Sequence, residues 1–180
     1  DVYKRQVHMD GARFANAVAA LRISPAEASW KAGVDVLSFG GTKNGCWCAE
    51  AIVFFDREKA ADFAFNHKRA GQLFSKSRFV SAQFDAYLAD GLWLSLAGHA
   101  NAMADALRTG IAASTNARAS WPTAANEVFA VLKRSAAERA RAQGALFYDW
   151  HVGGDTPVGE DEVLVRLVAS WSTTQAVSYT

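Results

Sequence analysis

The chain has 180 residues and a formal net charge of +1, with 51% apolar and 21% charged residues. That balance excludes a solvated disordered chain and offers no basic footprint for nucleic acid or an anionic membrane. With 36 alanines and 3 prolines the composition favours helices over an all-β barrel or sandwich, and no apolar run approaches the roughly 20 residues of a membrane span. Cys46 and Cys48 lie too close together to staple distant segments, so a reduced, cytoplasmic setting is expected.

The two ends read as foreign. Asp1 to Gln6 back-translate to GAT GTG TAT AAG AGA CAG and Val177 to Thr180 to GTC TCT TAT ACA, the two senses of a transposase sequencing adapter, so residues 1–6 and 177–180 are expected to be adapter-derived. Val7 to Asp10 then reads as a buried strand that ends in a carboxylate and Gly11. Phe14 to Leu21 has helical spacing. Ser24-Pro25-Ala26-Glu27 has the form of a capping box with proline at the first helical position, which predicts a short helix. Val34 to Phe39 is a second buried strand, Gly40 to Gly45 a glycine turn, and Ala51 to Phe55 a third strand ended by Asp56. Three strands with a helical insert predict part of an α/β sheet.

Asp56 to His67 reads as helix and Lys68 to Gln72 as a break. From Ser77 to Arg108, Phe84, Leu88, Leu92, Leu96, Ala100, Met103 and Leu107 recur at three- and four-residue steps, which predicts one stripe of a single long helix. Arg118 to Trp121 reads as a short strand, Ala124 to Arg141 as a helix, and Gly144 to Trp150 and Glu162 to Trp171 as strands. That order, β-α-β-β, suits a small α/β domain.

The chemistry concentrates at two strand ends. Asp10 closes the first strand and Lys43 sits in the glycine turn after the second, so both can face one crevice at a sheet edge. A lysine beside an apolar strand either snorkels outward or is held for amine chemistry, and Gly40, Gly41 and Gly45 clear side chains from around it. His8 shares the Asp10 face by alternation and reads equally as packing support or ligand contact. Arg166 stands among Leu164, Leu167 and Val168, where a guanidinium needs an anionic partner. His67, His99 and His151 lack companions at metal spacing, Cys46 and Cys48 read as small core thiols, and Arg134, Arg139 and Arg141 as a solvated helix face. No metal site is expected.

The segments His8-Met9-Asp10-Gly11-Ala12-Arg13 and Ser38-Phe39-Gly40-Gly41-Thr42-Lys43-Asn44-Gly45 resemble two motifs of the low-specificity L-threonine aldolases, and Gly71-Gln72-Leu73-Phe74-Ser75-Lys76 and Val165-Arg166-Leu167-Val168 resemble later family segments. The resemblance implies an α/β, pyridoxal-phosphate-dependent transferase-like fold (fold type I). Residues 7–73 would be the C-terminal part of the large cofactor domain, 74–113 a connecting long helix, and 114–176 a small C-terminal domain. It further implies pyridoxal 5'-phosphate bound covalently to Lys43, with Asp10 on the pyridine nitrogen and Gly41, Thr42 and His8 also at the cofactor. Lys76 or Arg78 would reach its phosphate, and Arg13 and Arg166 would hold the substrate carboxylate. The implied reaction cleaves threonine or allo-threonine to glycine and an aldehyde in a homotetramer. The family's ring-stacking histidine and phosphate loop precede the stretch matched here, so the 180 residues alone are expected to be inactive. A β-eliminating lyase or racemase on the same cofactor is the alternative within enzymes, and a non-catalytic α/β interaction module the alternative outside them.

Overall fold

A computed structural model describes residues 5–122, 124–151 and 157–175; residues 1–4 and 177–180 of the expected adapter ends lie outside the described residues. The chain forms two compact units, Asp1–Leu96 and Ala97–Thr180.

The first unit is built on a three-stranded sheet in the order β1-β2-β3, with β1 His8–Gly11, β2 Val36–Gly40 and β3 Glu50–Phe54. β1 and β2 are parallel, Asp10 opposite Ser38, and β3 returns antiparallel to β2. Helix α1, Phe14–Leu21, follows β1 and places Phe14 and Val18 on Leu37, with Met9, Phe39 and Val53 of the same sheet face packed around them. Trp93 and Leu94 close this core, Phe14 and Trp93 lying stacked at 6.4 Å. The other face of the sheet carries His8, Asp10, Ser38 and Ile52, and it is open: Asp10 is exposed and Ile52 is 48% exposed. The expectation of a buried strand end is corrected here, because β1 buries Gly11 and part of Met9 on one face and leaves the alternate residues uncovered.

The capping box forms as expected: the Glu27 carboxylate accepts from the Ser24 backbone N–H at 2.8 Å and its hydroxyl at 2.6 Å. It caps one helical turn, closed by Ala28 N–H to the Ser24 carbonyl, and a 3-10 turn at Trp30–Ala32 follows in place of an α-helix. The segment after β3 likewise divides into a 3-10 turn, Glu58–Ala60, and helix α2, Phe63–Arg69, which Gly71 ends with φ +72°.

The long helix predicted from Ser77 is two helices, α3 Ser77–Leu88 and α4 Leu92–Ala113. Asp90 and Gly91 take φ values of 50° and 72° between them, which rotates the stripe out of phase. Leu88 and Leu92 are consequently exposed, and the buried positions are Tyr87, Ala97, Ala100, Asn101, Ala104 and Ile111.

The second unit holds an antiparallel sheet ordered β4-β5-β7-β6: Ala117–Ala119, Glu127–Lys133, Glu162–Val168 and Tyr148–Asp149. The expected helix from Ala124 to Arg141 is therefore wrong over its first half. Val128, Ala130 and Leu132 alternate with Phe129 and Val131, and β5 is paired on both sides, by β4 and β7, so tertiary pairing outweighs local helix propensity. Only α5, Arg134–Ala142, is helical there, and the order is β-β-α-β-β. Val128, Ala130, Val163 and Val165 pack with Ala104, Ile111 and Ala137 of the helices. The outer strands are shorter than expected, and β7 stops at Val168, where Ala169 N–H turns to the Asn126 carbonyl.

Candidate active site

Because β1 and β2 are parallel neighbours, their C-terminal ends lie side by side, and each is followed at once by a functional turn. Glycines let the two backbones interlock. A Cβ on Gly11 would lie 2.6 Å from the Ser38 carbonyl oxygen and 2.5 Å from Leu37 Cδ1, and one on Gly40 would lie 3.0 Å from Ala12 Cα. The carboxylate of Asp10 accepts from Ala12 N–H at 3.0 Å, an Asx-type turn that holds it at the strand end. His8 Nε2 and Ser38 Oγ are 2.7 Å apart, so the imidazole is fixed on the same open face as Asp10.

Lys43 occupies the middle of a 3-10 turn, Thr42–Asn44, with its side chain exposed. The turn is stapled from inside. Gly41 N–H donates to the Ala49 carbonyl at 2.8 Å, Cys46 N–H to the Gly41 carbonyl at 3.1 Å, and Ala49 N–H to Thr42 Oγ1 at 3.1 Å. A Cβ on Gly41 would meet Cys46 Sγ at 2.8 Å, and Gly45 leaves the turn with φ +116°. The Asn44 side chain points into the core, where its amide nitrogen donates to Tyr87 Oη at 2.6 Å and to the Trp93 carbonyl at 2.8 Å. Burial pushes the Tyr87 phenol up, and that hydrogen bond partly offsets the rise. The Cys46 thiol is also raised, first by burial and then by Glu50.

The structure thus brings Asp10, Gly41, Thr42 and Lys43 to one end of one parallel strand pair, with His8 at the start of β1 on the Asp10 face. Arg13, half-buried, precedes α1 immediately beyond the Asp10 turn. Lys76 and Arg78 lie at the start of α3, and the Arg78 guanidinium lies over the Phe79 ring at 4.9 Å. Arg166 belongs to the second unit. It lies over the Trp150 ring at 4.6 Å with the Glu127 carboxylate at 3.8 Å, so the anionic partner its setting requires is present within its own sheet. Among the described residues no group of three or more His, Cys, Asp or Glu could hold a metal ion.

Several expected bystanders are bonded. His67 stacks on Phe63, His99 bonds the Thr173 carbonyl at 2.7 Å, and Arg141 pairs with Asp149. Cys48 is exposed and so is no core thiol; the Trp47 and Cys48 N–H groups both donate to Gln83.

A sequence model described as beta-eliminating lyase matches residues 1–135. The chain belongs to that family. The lyase-family chain is 48% identical over 167 residues to a protein of Pseudomonas aeruginosa named low specificity L-threonine aldolase, an alignment covering 93% of this chain and 46% of that protein. A protein of the same name from a Pseudomonas sp. strain is 45% identical over 170 residues, 94% of this chain and 46% of the relative. The chain spans about half the length of these curated relatives. Among solved structures, the threonine aldolase of Leishmania major superposes with a TM-score of 0.85 at 25% identity, covering 97% of this chain and 49% of that one. Oryza sativa TDC, solved with PLP, superposes at 0.62 with 14% identity over 98% and 40%, a likeness of fold alone. The lyase-family chain therefore has the α/β, pyridoxal-phosphate fold expected of it.

Sequence reasoning did not single out Ser38, Asn44 or Tyr87 in this lyase-family site. Ser38 was legible, since it follows from pairing two parallel strands in register with His8 and Asp10 on one face. Asn44 was not, because a polar residue inside a glycine turn gives no sign of being buried.

Proposed function

We propose that the protein carrying this chain is a pyridoxal-phosphate-dependent carbon–carbon lyase that cleaves L-threonine, L-allo-threonine and related β-hydroxy-α-amino acids to glycine and an aldehyde. The observation that carries this reading is the juxtaposition of Asp10 and the Lys43 turn at the ends of two interlocked parallel strands. The donor set there fits the cofactor: an exposed primary amine, a held carboxylate, and an imidazole fixed beside it. When bound, pyridoxal phosphate supplies an electron sink conjugated to the substrate Cα. Lys43 would hold the cofactor covalently through its amine, where the substrate amino group would take its place. Asp10 keeps a proton on the pyridine nitrogen, as a carboxylate beside a basic nitrogen does. His8, oriented by Ser38, would contact the cofactor from the open sheet face, and Gly41 and Thr42 would also help to hold it. Arg13 holds the substrate carboxylate through paired N–H groups, and Arg166 and Lys76 or Arg78 follow from the family resemblance as carboxylate and phosphate partners.

On this reading residues 7–73 form the last part of a cofactor domain and 114–176 a smaller domain, joined through 74–113, in a cytoplasmic homotetramer. Among the described residues no helix is long and apolar enough to cross a membrane. Elimination at Cβ is the second reading, favoured by the description of the family model.

Borohydride reduction of the whole protein with pyridoxal phosphate, followed by peptide mapping, tests the cofactor site: label on Lys43, abolished in Lys43→Ala, is expected. Unlabelled Lys43 defeats the proposal. Acetaldehyde released from threonine supports aldol cleavage, and ammonia released without glycine supports elimination.

A further inference from the structure

The residue next to Lys43 is more deeply held than the lysine itself. Asn44 is 2% exposed and Tyr87, its acceptor, 3% exposed. Tyr87 sits in a ring cluster with Phe39 at 6.2 Å and Trp93 at 6.5 Å, and Phe39 is the β2 residue just before Gly40. One carboxamide thus ties the lysine turn to α3 through a side chain and to the first turn of α4 through a backbone carbonyl. The Asn44 Oδ1 is buried and has no hydrogen-bond partner among the described residues. A buried amide oxygen left bare is a cost, and an apolar side chain would instead strand the Tyr87 Oη and the Trp93 carbonyl, so packing alone does not account for asparagine here. Directionality does: two donated bonds to acceptors on different elements fix one orientation of the carboxamide, and with it the backbone from which Lys43 projects.

We infer that Asn44 is a positioning residue for Lys43, with Tyr87 as its anchor. The inference rests on the proposed cofactor role of Lys43. Asn44 touches neither cofactor nor substrate in this scheme. It holds the 3-10 turn in the one conformation that presents the amine for bonding, so its loss increases the turn's freedom before the unit's fold is lost.

The test compares Asn44→Ala and Tyr87→Phe with Val18→Ala, a truncation in the same unit's core that leaves the turn's hydrogen bonds alone. In each whole protein, borohydride labelling of Lys43 is titrated with pyridoxal phosphate, the pH midpoint of the bound-cofactor absorbance is read, and the melting temperature is measured. Asn44→Ala and Tyr87→Phe are expected to raise the half-labelling concentration roughly two- to tenfold and to shift the pH midpoint. Val18→Ala is expected to lower the melting temperature and leave both cofactor readouts at the parental values. Should Asn44→Ala not fold, Tyr87→Phe, which keeps the ring packing, decides alone. Cofactor readouts that follow melting temperature equally in all three variants, or stay parental in Tyr87→Phe and Asn44→Ala, overturn the inference while leaving the cofactor assignment standing. No Lys43 label in the parent protein overturns both.

Discussion

Replacing Gly11 by alanine probes the interlock on which the site depends. The added methyl would lie 2.5 Å from Leu37 Cδ1, 2.6 Å from the Ser38 carbonyl oxygen and 3.3 Å from Phe14 Cβ. Leu37 is 4% exposed and cannot swing into solvent, and the Ser38 oxygen belongs to the paired strand, so β2 itself must retreat by most of an ångström. Overpacking of this kind costs about 1–3 kcal/mol, and a backbone obstacle puts Gly11→Ala near the upper end. For a unit of this size each kcal/mol lowers the melting temperature by about 4–8 °C, so a fall of roughly 10–20 °C is expected. The retreat also draws Ser38 away from His8, which ends their 2.7 Å contact. Thermal melting followed by circular dichroism, with Lys43 labelling on the same samples, reads both effects. A Gly11→Ala protein that melts within about 2 °C of the parent would refute the reasoning, since it would mean that the two strand ends do not approach as closely as described.

Gly98 provides the opposite case: it lies within α4, and a Cβ added there would have nothing within 4 Å, so Gly98→Ala is expected to stabilise by about 0.5–1 kcal/mol in urea titrations, and a loss of stability would contradict it. The Glu162 carboxyl is held at about 2, chiefly by hydrogen bonding to Arg118 and then to Gly159 N–H. A carboxyl depressed from 4.5 contributes stability that is full above that value and is lost as pH falls towards 2. Glu162→Gln should therefore flatten the pH dependence of unfolding of the second unit across that window, while an unchanged slope would show the pair to be idle in solution. For the proposed reaction, Asp10→Asn should retain cofactor label on Lys43 yet slow threonine cleavage about a hundredfold or more; parental turnover would remove Asp10 from the electron-sink role.

The first unit's chemistry was legible because glycines, an aspartate and a lysine punctuate apolar runs at the places where parallel strands must end. What the buried-strand reading passed over was that only one face of β1 is covered: Val7-His8-Met9-Asp10 alternates apolar and polar residues, and α1 occupies the Leu37 side alone. The second unit misled through composition. Ala130 and its neighbours have helix-forming company in sequence, but Ala130 is fully buried between β4 and β7 pairing partners, a nonlocal fact. The break between α3 and α4 left a trace, Gly91, that the strong periodicity around it obscured.

Asp10 and Lys43 are held at one strand end by the pairing of β1 with β2, with α1, the first part of the connecting segment, packed against Leu37. That segment carries its own local fastenings, the Ser24–Glu27 box and a left-handed Gly33 with nothing within 4 Å of a Cβ there. The site is thereby insulated from changes in loop length. Doubling such a connection costs only about 0.6 kcal/mol in closure entropy, so residues inserted beside Gly33 should be absorbed by the loop while the carboxylate and amine keep their places. This surface is the natural point at which to graft a tag, a reporter or a second binding segment onto the protein.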